Sequence, residues 1–311
     1  MVRFLYTLHI ILFTFSGFAQ LTDTELKQFM KAEDTLKKIQ AYVFHSKKES
    51  SRFEANKIFL NLWKEVLSNE KSLQFPFDSL KEVSRLLSPD KKLRIITWNM
   101  LRDDETHVFF GFIQVNNVKV TKKGLFKKET TSKYEVFPLL DKSAGVNNPE
   151  LYVGTADKWF GMLYYDIIKS DDDFYTLLGW DGNTKLAQRK FIDILTFKPD
   201  GTPVFGKDVF KIPNKFAKRI MFEYASEVAM SVRYNANRKQ IIYNHLAPNT
   251  DDPTLQNQYQ YYGPDGSYDA LYMKKGHWVY EPAIDIRKEK DKNDNAQKPD
   301  PNKQQPVYKP K

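Results

Sequence analysis

Cysteine is absent from the 311-residue chain. Its absence excludes a disulfide scaffold, a thiolate metal site, a cysteine nucleophile and lipid attachment through an N-terminal cysteine. Histidine is nearly as scarce, at five residues. Beyond the first twenty positions only His45, His107, His245 and His277 remain, and no two share a helical turn or a short strand as paired metal ligands do. There is no glycine-rich phosphate loop, no Gly-x-Ser-x-Gly elbow and no Ser-x-x-Lys in a usable setting. No stretch after the N-terminus is long and apolar enough for a membrane-spanning helix.

The first twenty residues read as an address. Met1-Val2-Arg3 is a short basic start, residues 4–15 are almost wholly apolar, and Gly17 and Ala19 supply small residues where a signal peptidase reads. The expectation is a signal peptide over 1–19, with the mature chain exported to the periplasm or the exterior and without a transmembrane segment. Removing it takes away only Arg3, so a formal charge of +9 becomes +8. Half of that excess lies in residues 287–311, which hold eight basic and four acidic side chains, four prolines and only Val307 and Tyr308 as bulky apolar groups. Such a segment buries too little surface to offset its ordering entropy, so a disordered basic tail is expected. A basic exported protein suits an anionic envelope surface; nucleic acid is not an expected partner, because export removes the usual target and no nucleic-acid motif is present.

Between these ends the texture changes once. Residues 20–90 read as a helical segment. Thr22 and Glu25 form a capping-box pattern ahead of apolar residues spaced by three or four; Ser51 with Glu54, and Ser79 with Glu82, repeat it, which predicts three helices. Residues 91–286 are rich in β-branched and aromatic runs punctuated by Asp181-Gly182-Asn183, Asp200-Gly201, Asn235-Ala236-Asn237 and Pro264-Asp265-Gly266 turns. With no crossover helix, the sheet is expected to be antiparallel. Residues 117–132, with five lysines, read as a long hairpin loop, and 219–233 as one strand. The fold expected is α+β: an N-terminal helical segment packed on a larger antiparallel β body, a meander or sandwich ahead of a propeller, since no repeat of blade length is visible.

Leu93-Arg94-Ile95-Ile96-Thr97-Trp98-Asn99, Leu177-Leu178-Gly179-Trp180-Asp181-Gly182-Asn183 and Tyr261-Tyr262-Gly263-Pro264-Asp265-Gly266-Ser267-Tyr268-Asp269, together with a leader ending Phe-Ala-Gln, carry a resemblance. They resemble an uncharacterised family of secreted β-rich proteins of Bacteroidota, over most of the mature chain. The resemblance implies export and a β-rich body, and it carries no activity or functional residue.

Two features could bear chemistry. On a strand spanning 219–233, Glu223 and Glu227 share a face with small residues between and beyond them, four residues or about 13 Å apart at their α-carbons. Glycosidases place two carboxyl groups about 5–9.5 Å apart, a separation that two long side chains on one face reach by leaning together, so Glu223 and Glu227 are the candidate catalytic pair, with Asp193 or His245 as helpers. The other feature is aromatic: Tyr261, Tyr262, Tyr268, Tyr272 and Trp278 crowd the last apolar stretch and suit stacking on a sugar ring or a partner protein. The acidic turns offer oxygen ligands but none has the EF-hand spacing, so neither a metal nor a cofactor is expected. The functional expectation is a non-catalytic exported module that binds an envelope glycan or envelope protein; the alternative is a secreted hydrolase acting on a glycan through paired carboxylates.

Overall fold

The computed structural model describes residues 21–123, 127–171, 173–249 and 252–287. The leader expected over 1–19 and nearly all of the tail expected over 287–311 lie outside the described residues.

Helix α1 (Asp23–His45) begins as its sequence requires: the Thr22 hydroxyl accepts from the Glu25 N–H at 3.3 Å, and Glu25 accepts from the Thr22 N–H at 2.9 Å. Helix α2 (Glu49–Ser68) starts two residues ahead of the expected cap, so Ser51 is helical. Glu49 occupies the first turn, where a carboxylate is favoured, and accepts from the Asp103 N–H at 2.6 Å.

The third expected helix does not form. Its capping-like residues are taken by α1: the Ser79 N–H bonds Glu33 at 2.7 Å, and Glu82 bonds Gln40 and His45, each at 3.0 Å. Residues after it become strand β1 (Ser84–Leu87), which covers an edge of β2 (Leu93–Leu101). A short helix there would leave that edge unpaired.

The first sheet has the order β1-β2-β3-β4, with β3 (His107–Lys123) and β4 (Lys127–Leu140). The β3–β4 ladder runs from Phe110↔Leu140 to Lys123↔Lys127, so residues 117–123 and 127–132 are paired strand and not the expected loop. β-branched Val118, Val120, Thr121, Thr130 and Thr131 favour that outcome over the lysines between them.

The second sheet comprises β5 (Gly154–Thr155), β6 (Leu163–Asp171), β7 (Phe174–Asp181), β8 (Ala187–Phe197) and β9 (Pro203–Phe205), in the order β5-β9-β8-β7-β6. The third holds β10 (Phe210–Lys211), β12 (Val232–Asn235), β13 (Gln240–Pro248), β14 (Tyr262–Lys274) and β15 (His277–Glu281), in the order β10-β15-β14-β13-β12. Strand β11 (Ile220–Ala225) pairs with β8 over Ala187–Ile192, end to end with β9. Every strand pair is antiparallel except β10 with β15, which is parallel.

Two further expectations change. Residues 219–233 are not one strand: β8 begins at Ala187, so β11 has no ladder partner beyond Ala225, and the chain turns at 226–228 to enter the third sheet as β12. Pro264-Asp265-Gly266 is not a hairpin turn but part of a bulge in β14, where the register jumps from Asn244↔Tyr268 to Leu246↔Pro264. Asp265 closes it by accepting the Ser267 N–H and hydroxyl, and Gly266 supplies a φ of +91°.

Period-two alternation then stacks the layers. On β2, Ile96, Trp98 and Met100 face α1 and α2, while Leu93 and Ile95 join the core shared with the second sheet. Leu177, Phe191 and Leu195 of the second sheet fill that same core. Leu178, Ile192 and Ile194 point the other way, against Ile241, Leu271 and Trp278 of the third sheet. The protein is therefore α+β, with helices, first sheet, second sheet and third sheet in succession and a separate apolar core at each junction. Helices, and not the last sheet, cover the outer face of the first, so the sheets stack without closing into a propeller ring.

Candidate functional site

A cavity of about 440 Å³ opens at one end of the junction between the first and second sheets. Strand ends converge there: the start of β3 supplies His107 and Phe109, the residue after β4 is Asp141, and the β7–β8 hairpin supplies Asp181 at the end of β7, Asn183 in the turn and Arg189 near the start of β8. Phe109 and Phe160 back the lining but are each only 2% exposed; half-exposed His107, Val108 and Val146 give the accessible apolar surface.

The two aspartates are held differently. Asp141 is saturated. Its Oδ1 accepts from the Ser143 N–H (2.9 Å), the Ser143 hydroxyl (2.6 Å) and the Gly161 N–H (3.2 Å), and its Oδ2 from the Phe109 N–H (3.1 Å). A β-carbon at position 161 would fall 2.3 Å from this carboxyl, so glycine is required there. Asp141 thus joins β3, the end of β4 and the segment ahead of β6.

Asp181 has one bond. Its Oδ1 accepts from the Asn183 N–H at 2.8 Å, as an Asp-Gly-Asn turn dictates, and its Oδ2 has no partner among the described residues. The residue is 7% exposed. Burial pushes its carboxyl up to about 6, Asp141 and Glu223 push the same way, and the Asn183 N–H and Arg189 pull against them. Asp181 is therefore an acid that changes charge close to neutral pH.

His107 flanks it. Asn99 Nδ2 donates to Nδ1 at 2.7 Å, which leaves the neutral ring's proton on Nε2. Burial lowers its pKa, so the ring is neutral at pH 7. It packs edge-on against Trp180, and its Cδ2–Nε2 edge lies so close over Gly182 that a β-carbon there would sit 2.1 Å away.

Glu223, one of the two carboxylates singled out from sequence, borders this site. It stands opposite Arg189 in the β8–β11 ladder, accepts from Arg189 Nε at 2.9 Å, and accepts from Asn183 Nδ2 at 3.1 Å. Glu227 does not join it; it is exposed in the turn after β11. Asp193 is buried in an ion pair with Arg219, and His245 pairs with Asp265 at the β14 bulge, so neither helper reaches Glu223 in a common site.

The aromatic group divides three ways. Trp278 is 1% exposed in the core between the second and third sheets, its Nε1 donating to Thr176 at 2.8 Å, where a ligand cannot reach it. Tyr268 and Tyr272 alternate with inward-facing Leu271 and so lie on the outer face of the third sheet. Tyr261 and Tyr262 sit at the short 3₁₀ turn Tyr259–Tyr261, which packs against β11. Among the described residues no group of three or more His, Asp or Glu side chains is arranged to hold a metal ion.

Asp141, Asp181 and His107 were not singled out as site residues in the sequence. The available signal was the Asp-Gly-Asn turn, which doubles as an ordinary hairpin connection. The chain matches no protein-family model, no curated protein and no solved structure.

Proposed function

We propose that the protein is an exported, non-catalytic module that binds an envelope glycan in the cavity at Asp181. The observation that carries this reading is the Asp181 Oδ2, without a partner among the described residues, on the wall of a 440 Å³ cavity whose half-exposed lining includes His107, Val108 and Val146. Specific sites combine an apolar surface with a few convergent polar groups, and sugars match that pattern through ring faces and hydroxyls. Arg189 and Asn183 add donors, and the two aspartates add acceptors. The leader-like N-terminus and the likeness to secreted Bacteroidota proteins support export, and the basic tail supports residence near an anionic surface.

The experiment is a glycan array and calorimetry with the chain from residue 20 and its Asp181→Asn variant. Binding that the variant weakens is expected; retention of no envelope glycan at moderate salt overturns the reading.

The second reading is a glycan hydrolase, and the Asp181 acid favours it, because a carboxyl that titrates near 6 can protonate a leaving oxygen. Glu223, tied to the cavity wall through Asn183, is the partner carboxylate in this version, since Asp141 already accepts four hydrogen bonds and Glu227 lies apart. Release of new reducing ends, lost in Asp181→Asn and declining above about pH 6, would favour hydrolysis over binding alone.

A further inference from the structure

We propose that the ligand is a neutral oligosaccharide chain, which leaves the cavity past Glu223 and stacks a second ring on Tyr259 and Tyr261 along the outer edge of β11. This rests on the glycan-binding reading and extends it from one ring to a polymer.

Side-chain contacts link the cavity to the tyrosines. Asn183 belongs to the cavity wall and also bonds Glu223, which carries the wall onto β11. The turn Tyr259–Tyr261 packs against that strand. Glu150 marks the next step: it accepts from the Met221 N–H at 3.1 Å, two residues or about 7 Å along β11 from Glu223. Tyr259 lies near both carboxylates. Burial raises its phenol pKa, and the charges of Glu223 and Glu150 add to the rise.

The platform is open and held in place. Tyr259 is 37% and Tyr261 41% exposed. The Tyr259 ring rests on Tyr262 with centroids 5.2 Å apart, and the Tyr262 hydroxyl is fixed by the Asn257 N–H at 3.0 Å. Rigid aromatic rings cost little entropy when a flat ligand stacks on them.

Charge selects the kind of sugar. Cations that border the path are already paired, Arg102 with Glu49 at 3.5 Å, Arg189 with Glu223 at 2.9 Å and Lys215 with Glu150 at 2.6 Å. A uronate or phosphate would meet carboxylates without a free counter-charge, whereas neutral hydroxyls find acceptors.

The test is calorimetry of the chain from residue 20 with cello- and chito-oligosaccharides of one to six rings, beside oligogalacturonides. Affinity is expected to rise about tenfold between one ring and three or four, and Tyr259→Ala should remove that gain while leaving single-ring affinity within about twofold. Affinity independent of length, or a Tyr259→Ala loss equal for one ring and six, overturns the second subsite while leaving the cavity reading intact. A preference for oligogalacturonides overturns the neutral-chain assignment. Failure of every glycan to bind overturns the cavity reading itself, and the extension with it.

Discussion

Asp181 and Asp193 stand on neighbouring strands of one sheet, and the fold treats them in opposite ways. Asp193 is fully buried and fully answered: Arg219 Nε and the Tyr164 hydroxyl each reach it at 2.9 Å, with the Ile194 N–H as a third donor. Asp181 is almost as buried but keeps one oxygen without a partner among the described residues. A carboxylate satisfied on all sides joins parts of the structure together; one left short of partners raises the energy of its own charge and holds a binding capacity in reserve. The contrast separates an anchor from a site more sharply than burial alone.

The largest effect should come from breaking the anchor. Arg219→Met leaves Asp193 charged in the core and is expected to cost about 3–5 kcal/mol in urea denaturation, while Arg219→Met with Asp193→Leu recovers most of it. Equal losses in the single and double variants would show that the guanidinium matters for packing over Phe160 and Tyr152 rather than for charge.

The site should answer with the reverse sign. Asp181 binds its proton more tightly in the folded state than in the unfolded chain. The stability this provides is complete below about pH 4 and is lost as pH rises through about 6. Asp181→Asn keeps the acceptor for Asn183 and removes the charge, so it should be more stable than wild type at pH 7 by as much as about 3 kcal/mol, with the gap closing near pH 4. Denaturation curves at the two pH values check this; a gap that does not change with pH would mean that Asp181 is not the titrating group.

The smallest effects concern its neighbours. Glu223→Gln should lower the Asp181 pKa and Arg189→Gln should raise it, each by less than about one unit. Carboxyl NMR titration distinguishes the two directions; shifts of the same sign would mean that rearrangement outweighs charge.

What could be read in the sequence followed from locality. Thr22 and Glu25 are three residues apart and cap α1 as their spacing requires. Ser79 and Glu82 have that spacing too, but Glu33, Gln40 and His45 on α1 compete for their polar groups, and a competitor some forty residues away leaves no trace in a local pattern. The alternation of 219–225 was readable, and Glu223 with it, whereas the end of β11 is set by where β8 begins. The site residues come from positions 107, 141, 181 and 223, and only the stacking of two sheets brings them together. Trp278 shows the converse error: strand composition marks an aromatic residue without saying which side of the sheet it takes.

The layers also follow chain order. Helices end at Ser68, the first sheet at Leu140, the second at Ala225 and the third at Glu281. Apart from the two-residue β10, which precedes β11, a chain emerging N-terminus first therefore completes each layer before the next arrives, and each new sheet condenses on a nearly finished apolar surface. The same order makes truncation directional: a chain stopped near residue 225 bares the Leu178, Ile192 and Ile194 face of the second sheet. Such a nascent intermediate has a sticky end that only the remaining residues can cap, so premature termination there should lead to aggregation rather than to a smaller folded protein.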